Sequence, residues 1–344
     1  MGSGHGTSSG GAENPLDRPP AGATLRAVMG SSSAGHRQIW IDGQLVPWEK
    51  ATVHVLSHSL QRGSLIFDYM SVYPTPRGPA VFRMPEHVAR LLHSAELVGL
   101  PLTLGAREIE QAILTTVRAN PGATAVKVSA YLPSIEVDVV PLDPHVAVAI
   151  AAYDPQVDVN AGKPSKPHRP ATLKIWIEKS VKNRREDIVP PQAKVSGNYT
   201  SPMQAKWNAR RAGYDEILLV DEDGFVAEGP TTNVFLVDAD GALATPPDEK
   251  VLHGVTRSSI LELARAERMP AYERRIRPDE LASASEVFLT GTTAGVWPVE
   301  SVDGEKIRGG APGPVSARLA QRFKAVTRGE DPAFAHWLTP VGTS

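Results

Sequence analysis

The sequence predicts an α+β protein built as two domains. Three observations carry this. The first half mixes amphipathic helical stripes with short apolar strands, residues 154–170 are Pro-, Gly-, Lys- and Asn-containing with little periodicity, and the second half opens again on strands. With 344 residues the chain can bury two ordinary cores.

Residues 1–36 are rich in Gly, Ser, Ala and Pro, with almost no large apolar side chains. They lack the continuous apolar run of a signal peptide and predict a disordered tail. The smaller α+β domain is predicted over residues 37–153. It begins with two short strands around the turn Asp42-Gly43. Helical stripes follow over residues 88–98 and at Ile109, Ala112, Ile113 and Val117, and then strands over 126–132 and 146–150. Residues 154–170 read as the linker. The larger domain, 171–344, opens on the strand 173–177 and continues with a helix around 203–211. Strands are predicted over 216–220 and 225–228, turned by Asp221-Glu-Asp-Gly224, and over 234–237.

The formal net charge of −2 gives no bulk attraction for nucleic acid or anionic membrane, and neither is expected as a partner. No segment carries the roughly 18 uninterrupted apolar residues of a membrane span. The absence of cysteine excludes disulfides, iron–sulfur ligation and thiolate zinc sites, and suits a reducing cytoplasm, the expected location. His54 and His58 stand four apart, a spacing that on a helix lets two histidines meet one metal. They lack a catalytic glutamate and an obvious third ligand, so no metal is expected. The charged run 179–187, with Lys182, Arg184 and Arg185, reads as a solvated loop.

The stretch carrying most chemistry is Glu228-Gly-Pro-Thr-Thr-Asn233-Val-Phe235, followed by Leu243-Ala-Thr245 and Leu252-His-Gly254-Val-Thr256-Arg257. Upstream lies Ala193-Lys194-Val-Ser-Gly197-Asn198-Tyr199. Taken singly these are a surface lysine and a strand ending in a turn. Taken together they provide an amine, a phenol, a carboxylate and a helix-initiating turn, the groups that hold a phosphorylated pyridine aldehyde as a Schiff base. Their order and spacing resemble the class IV pyridoxal-phosphate aminotransferases, the family of branched-chain and D-amino-acid aminotransferases, over approximately residues 38–328.

The resemblance implies the two-domain fold of type IV enzymes, D-amino-acid-aminotransferase-like, with pyridoxal 5'-phosphate in the interdomain cleft. By match to the family motif, Lys194 is the Schiff-base lysine and moves the substrate proton. Glu228 faces the pyridine nitrogen and Tyr199 the ring 3-oxygen. The phosphate is received by Arg90, by the turn before the helical pattern at Gly254-Val255-Thr256, and by Gly291-Thr292-Thr293 after the strand 287–289. The implied reaction is a ping-pong exchange of amino groups between an amino acid and a 2-oxo acid.

Among subgroups the chain is closest in appearance to branched-chain enzymes, through His58-Ser-Leu, Gly63-Ser, Phe67 and Ser301-Val-Asp-Gly304. The family's inner-strand tyrosine and arginine, which manage the substrate carboxylate, fall on Val126 and Val128, and the glycine–glutamate–asparagine triplet is Thr231-Thr232-Asn233. The arginine and histidine of D-amino-acid enzymes are replaced by Pro133-Ser-Ile-Glu136. Neither carboxylate trap is matched, and Arg62 and Lys127 are the basic candidates for that role. A D-amino-acid or (R)-amine transaminase and an aminodeoxychorismate lyase-type pyruvate elimination therefore stay open beside a branched-chain L-amino-acid transaminase. Phe67, Val126, Val128, Val139 and Thr293 are the expected substrate contacts. The family completes its pocket across a homodimer, and the loop 135–141 is the segment expected to do so.

Overall fold

The computed structural model describes residues 33–161 and 170–342. Residues 1–32 of the expected tail and 162–169 of the expected linker lie outside the described residues. At the edges of both segments the chain is folded. Ser33–His36 form a 3₁₀ turn, and the next residue, Arg37, donates from Nε to Asp158 Oδ2 at 2.9 Å.

Strands β1 (Gln38–Ile41) and β2 (Gln44–Pro47) form a hairpin whose turn residues Asp42 and Gly43 have φ of 45° and 93°. Asp and Gly are the residues that tolerate this mirror-image turn, which matches the twist of the paired strands. The short helix α1 (His58–Arg62) ends at Gly63 in the left-handed conformation, φ 68°. Then come β3 (Ile66–Thr75), β4 (Gly78–Phe82), helices α2 (Met84–Leu97) and α3 (Ala106–Ala119), β5 (Ala125–Tyr131) and β6 (Ala147–Tyr153). The expected stripes pack as amphipathy dictates: Val88, Leu91 and Ala95 of α2 and Ile109, Ile113 and Val117 of α3 close one core with Met70, Val126, Val128, Val148 and Ile150 from one face of the sheet.

The remaining elements are β7 (Leu173–Glu178), α4 (Thr200–Arg211), β8 (Glu216–Leu219), β9 (Asn233–Val237), β10 (Leu243–Thr245), α5 (Val255–Ala266), β11 (Ala271–Glu273), α6 (Pro278–Ser283), β12 (Glu286–Gly291), β13 (Gly295–Val302), β14 (Glu305–Lys306), α7 (Pro314–Thr327) and β15 (Leu338–Pro340). Seven of these strands build a second, mixed sheet in the order β11-β10-β9-β12-β13-β7-β8, and β14 pairs with β13. Its central strands are covered on both faces. Val234 and Leu236 point into one core, while Phe235 and Val237 meet Ile260, Leu263 and Phe323 in another. That is why β9 reads as a continuous apolar run. The stretch expected as a strand at 225–228 makes only isolated bridges, Val220 with Val226 and Glu228 with Asn233, which frees Glu228 from a regular ladder.

The first sheet, β15-β4-β3-β5-β6-β1-β2, is antiparallel throughout. Its edge strand β15 comes from the far end of the chain, so residues 338–340 complete the sheet begun at residue 38. Backbone hydrogen bonds also tie the second half of the chain to this sheet. Phe67 N at the start of β3 donates to Lys194 O at 3.0 Å, and Ser196 N donates to Leu65 O at 2.7 Å.

Candidate active site

Lys194 sits where these backbone bonds stitch the second half of the chain to β3. Its own N–H donates to Ser94 Oγ of α2 at 3.0 Å, and Ile66 and Val195 form a bridge. The 3₁₀ turn Ser196–Tyr199 then swings Tyr199 back beside the lysine. Lys194 Nζ donates to Tyr199 Oη at 3.1 Å. The ammonium also lies 4.9 Å from the centre of the Phe67 ring, which packs against Tyr199 at 5.4 Å. One side of the lysine is therefore aromatic and the other hydroxylic.

Glu228 is 3% exposed, and all its capacity is directed. Oε1 accepts from Arg184 Nη1 at 2.9 Å, and Oε2 accepts from Asn233 Nδ2 and Leu252 N, each at 3.2 Å. Burial pushes this carboxyl above the ordinary glutamate range, while Arg184, the Leu252 N–H and Lys194 oppose that rise. Arg184 extends the site further, its guanidinium 5.4 Å from the Tyr199 ring. The expectation of a solvated loop over 179–187 is thus corrected at this residue. Arg185 is exposed and pairs with Asp187, but Arg184 turns inward, because Asn183 is tied to Val220 O and Lys250 O.

The end of the cavity away from Lys194 is made of backbone and hydroxyls. Gly254 caps α5, and a Cβ there would stand 1.9 Å from Asn233 Oδ1, so only glycine lets the chain enter the helix at this point. Val255 and Thr256 form the first turn, and Thr292 lies in the turn after β12. The buried hydroxyls Thr232 Oγ1 and Thr290 Oγ1 have no hydrogen-bond partner among the described residues. Arg90 closes this end. Its Nε and Nη2 donate to Asp68 Oδ2 and Oδ1 at 2.9 and 2.8 Å, and its Nη1 donates to His253 O at 3.0 Å. Asp68 is fully buried and meets His87 Nδ1 at 2.6 Å. Burial alone would raise the Asp68 carboxyl, but Arg90 and His87 hold it well below the usual range.

These side chains share one cavity. Lys194, Tyr199, Glu228, Arg90, Val255, Thr256 and Thr292 all line it. Thr293 occupies the exposed position of the adjoining turn, outside that lining, and Phe67 flanks the lysine. Sequence reasoning missed Arg184, Asn233 as a Glu228 partner, and Asp68; of these only Asn233 lies in the motif that was read.

Val126 and Val128 are corrected outright as substrate contacts. Both are completely buried in the core against α2 and α3. Side chains alternate along a strand, so the cleft side of β5 carries Lys127 and Ser129, paired with Tyr69 and Phe67 of β3. Val139 stands 73% exposed on the loop 135–141. His58 Nε2 contacts Val139 O at 2.9 Å, and Arg62 Nη2 donates to Val137 O. Arg62 thus anchors the loop. His54 lies ahead of α1 rather than on it, so the two histidines do not share a helix face.

The residues fit pyridoxal phosphate. A lysine amine beside a phenol, a buried carboxylate, a helix start with spare N–H groups, two unsatisfied hydroxyls and an arginine provide for the aldehyde, ring oxygen, ring nitrogen and phosphate of that molecule. Comparison with known proteins agrees. The family model Amino-transferase class IV matches residues 65–302. The branched-chain-amino-acid aminotransferase of Pseudomonas aeruginosa is 34% identical over 306 residues, 88% of this chain and 97% of the relative. That of Escherichia coli K12 is 33% identical, with the same coverage. The structure of the branched-chain amino acid aminotransferase from Thermobaculum terrenum in its PLP form superposes with a TM-score of 0.80 at 30% identity, covering 90% of this chain and 100% of the other.

Proposed function

Because this chain belongs to the class IV aminotransferases and uses pyridoxal phosphate, we propose that it exchanges amino groups between branched-chain or other aliphatic L-amino acids and 2-oxo acids, with Lys194 as the catalytic residue. The transaminase reading rests on the single cavity that gathers Lys194, Tyr199 and Glu228; the substrate reading draws on the branched-chain relatives.

Pyridoxal phosphate, when bound, supplies the electron sink for the pair left at the substrate α-carbon. The chain supplies the rest. Lys194 Nζ moves the α-proton, and Tyr199 Oη, accepting its hydrogen bond, fixes where that amine points. Glu228, held by three donors and shielded from water, presents a fixed negative charge for the ring nitrogen. Arg90, Gly254, Val255, Thr256 and Thr292 form the phosphate end. An amino donor leaves as its 2-oxo acid in the first half of the cycle, and a second 2-oxo acid takes up the amino group in the other.

We further propose a homodimer in which the loop 135–141 reaches a neighbouring subunit's site. Val137, Val139, Val140 and Leu142 are 90, 73, 73 and 94% exposed on the protomer, and Val55, Leu56 and Leu60 around α1 extend the apolar surface. Contiguous exposed apolar residues of this kind mark an association surface. No helix among the described residues is long and apolar enough to cross a membrane. The cysteine-free composition supports a cytoplasmic enzyme.

A matrix of amino donors and 2-oxo acceptors, read by the colour change of the cofactor, tests the substrate reading. L-Leucine, L-isoleucine and L-valine should be converted. Turnover of D-alanine alone or of (R)-amines alone would replace it with the corresponding transaminase, and pyruvate release without an acceptor would replace it with an elimination.

A further inference from the structure

We propose that Lys127 is the residue that receives a substrate carboxylate in this chain. The inference rests on the transaminase reading and concerns a position that the inner-strand match passes over. That match points to Val126 and Val128, which face the α2 and α3 core. The residue between them faces the opposite way, into the cleft.

Three observations support the assignment. First, Lys127 Nζ lies 4.7 Å from the centre of the Phe67 ring, the same ring that Lys194 Nζ approaches at 4.9 Å. The two amines therefore flank one aromatic side chain, and one compact substrate can reach both. Second, the Lys127 side chain is half-buried and makes no hydrogen bond or ion pair with any of the described residues. A partly desolvated ammonium without an anion is unfavourable unless a ligand provides one. Burial and the charge of Lys194 both push its proton affinity down, with Tyr199 opposing, and a carboxylate bound beside it would offset both. Third, its neighbours across the sheet are small or aromatic. Ala151 of β6 and Tyr69 of β3 are its register partners, and neither brings an anionic side chain to the ammonium.

The ligand class is a carboxylate, either the α-carboxylate of any amino-acid substrate or the second carboxylate of a dicarboxylic one. The cation–π contact with Phe67 holds the ammonium without neutralising it, and leaves its N–H groups free for a carboxylate oxygen.

The test uses the full-length holoenzyme and the variants Lys127→Met, Lys127→Gln and Lys127→Arg. Half-reactions with L-leucine and L-glutamate give KM and kcat separately. Calorimetry measures binding of unreactive 4-methylpentanoate and glutarate, with 4-methylpentanamide as the uncharged control. Lys127→Met and Lys127→Gln should weaken carboxylate binding about ten- to a hundred-fold. KM should rise far more than kcat falls, the amide should bind as before, and Lys127→Arg should recover most of the loss. A loss shared by leucine, glutamate and 4-methylpentanoate assigns the α-carboxylate, and one confined to glutamate and glutarate assigns the second carboxylate. Equal losses for acid and amide, or none in either neutral variant, overturn the proposal. If the wild type converts no amino donor, the transaminase reading fails by itself, while the calorimetric comparison still decides the role of Lys127.

Discussion

Arg184 donates from Nη1 to Glu228 Oε1 across 2.9 Å, and the two side chains are 8% and 4% exposed. The pair is thus a buried one, placed between the Tyr199 ring and the turn at Leu252. Removing one member of a buried pair leaves the other uncompensated. For Glu228 the consequence is chemical, because burial already pushes its carboxyl up and Arg184 is the largest opposing influence.

Arg184→Gln should therefore raise the Glu228 carboxyl further. Activity needs Glu228 ionised and is lost as pH falls through its pKa, so the acid limb of the half-reaction rate should move to higher pH. A pH–rate profile with rapid mixing checks this, and an unmoved acid limb would remove Arg184 from the account. Glu228→Gln should keep the cofactor but slow α-proton removal by roughly two to three orders of magnitude, about 3–4 kcal/mol.

Lys194→Ala should reduce transamination by at least about 10²–10⁴-fold, the usual worth of a positioned proton-transfer group. Borohydride reduction of the wild type followed by peptide mapping should place the pyridoxyl group on Lys194. Its appearance on Lys127 or Lys206 would move the site.

Asp68 is expected to matter for stability more than for chemistry. Its folded-state pKa is depressed, so its contribution is present above the unfolded carboxyl value of about 3.9 and is lost as pH falls through the folded value. Asp68→Asn should flatten that acid decline and cost about 3–5 kcal/mol at neutral pH by stranding Arg90. Denaturant melts from pH 2 to 7 supply the comparison. Weakened phosphate retention should accompany the loss, since Arg90 would no longer be fixed beside His253.

Val139→Asp puts a charge on the exposed apolar loop. Turnover of L-leucine should fall at least about ten-fold while cofactor colour persists, and light scattering should show a weakened dimer. A wild type that is active as a monomer would exclude the cross-subunit role of this loop.

Much of this site was readable because a few contiguous segments carry it. Lys194 and Tyr199 are five residues apart, Glu228 and Asn233 likewise, and the helix start at Gly254 follows within the same stretch. Local geometry, a 3₁₀ turn in one case and a strand-like reversal in the other, keeps each pair together whatever the rest of the fold does. The helical stripes of α2 and α3 were legible for the same reason: burial of one helix face imposes its own period on the sequence.

Tertiary structure alone decided the rest. Strand alternation shows that Val126 and Val128 share a face, but which face meets the helices is set by packing, and a one-residue difference exchanges the valines for Lys127. Arg184 and Arg185 are indistinguishable as neighbours in a charged run; only the tethering of Asn183 sends one inward to Glu228 and leaves the other in solvent. Asp68 and Arg90 stand 22 residues apart and meet because β3 and α2 pack together, where a buried guanidinium requires an anion and the sheet supplies it. The sequence by itself determined which chemistry the chain can hold. The packing of sheet against helix determined which charges stand around it.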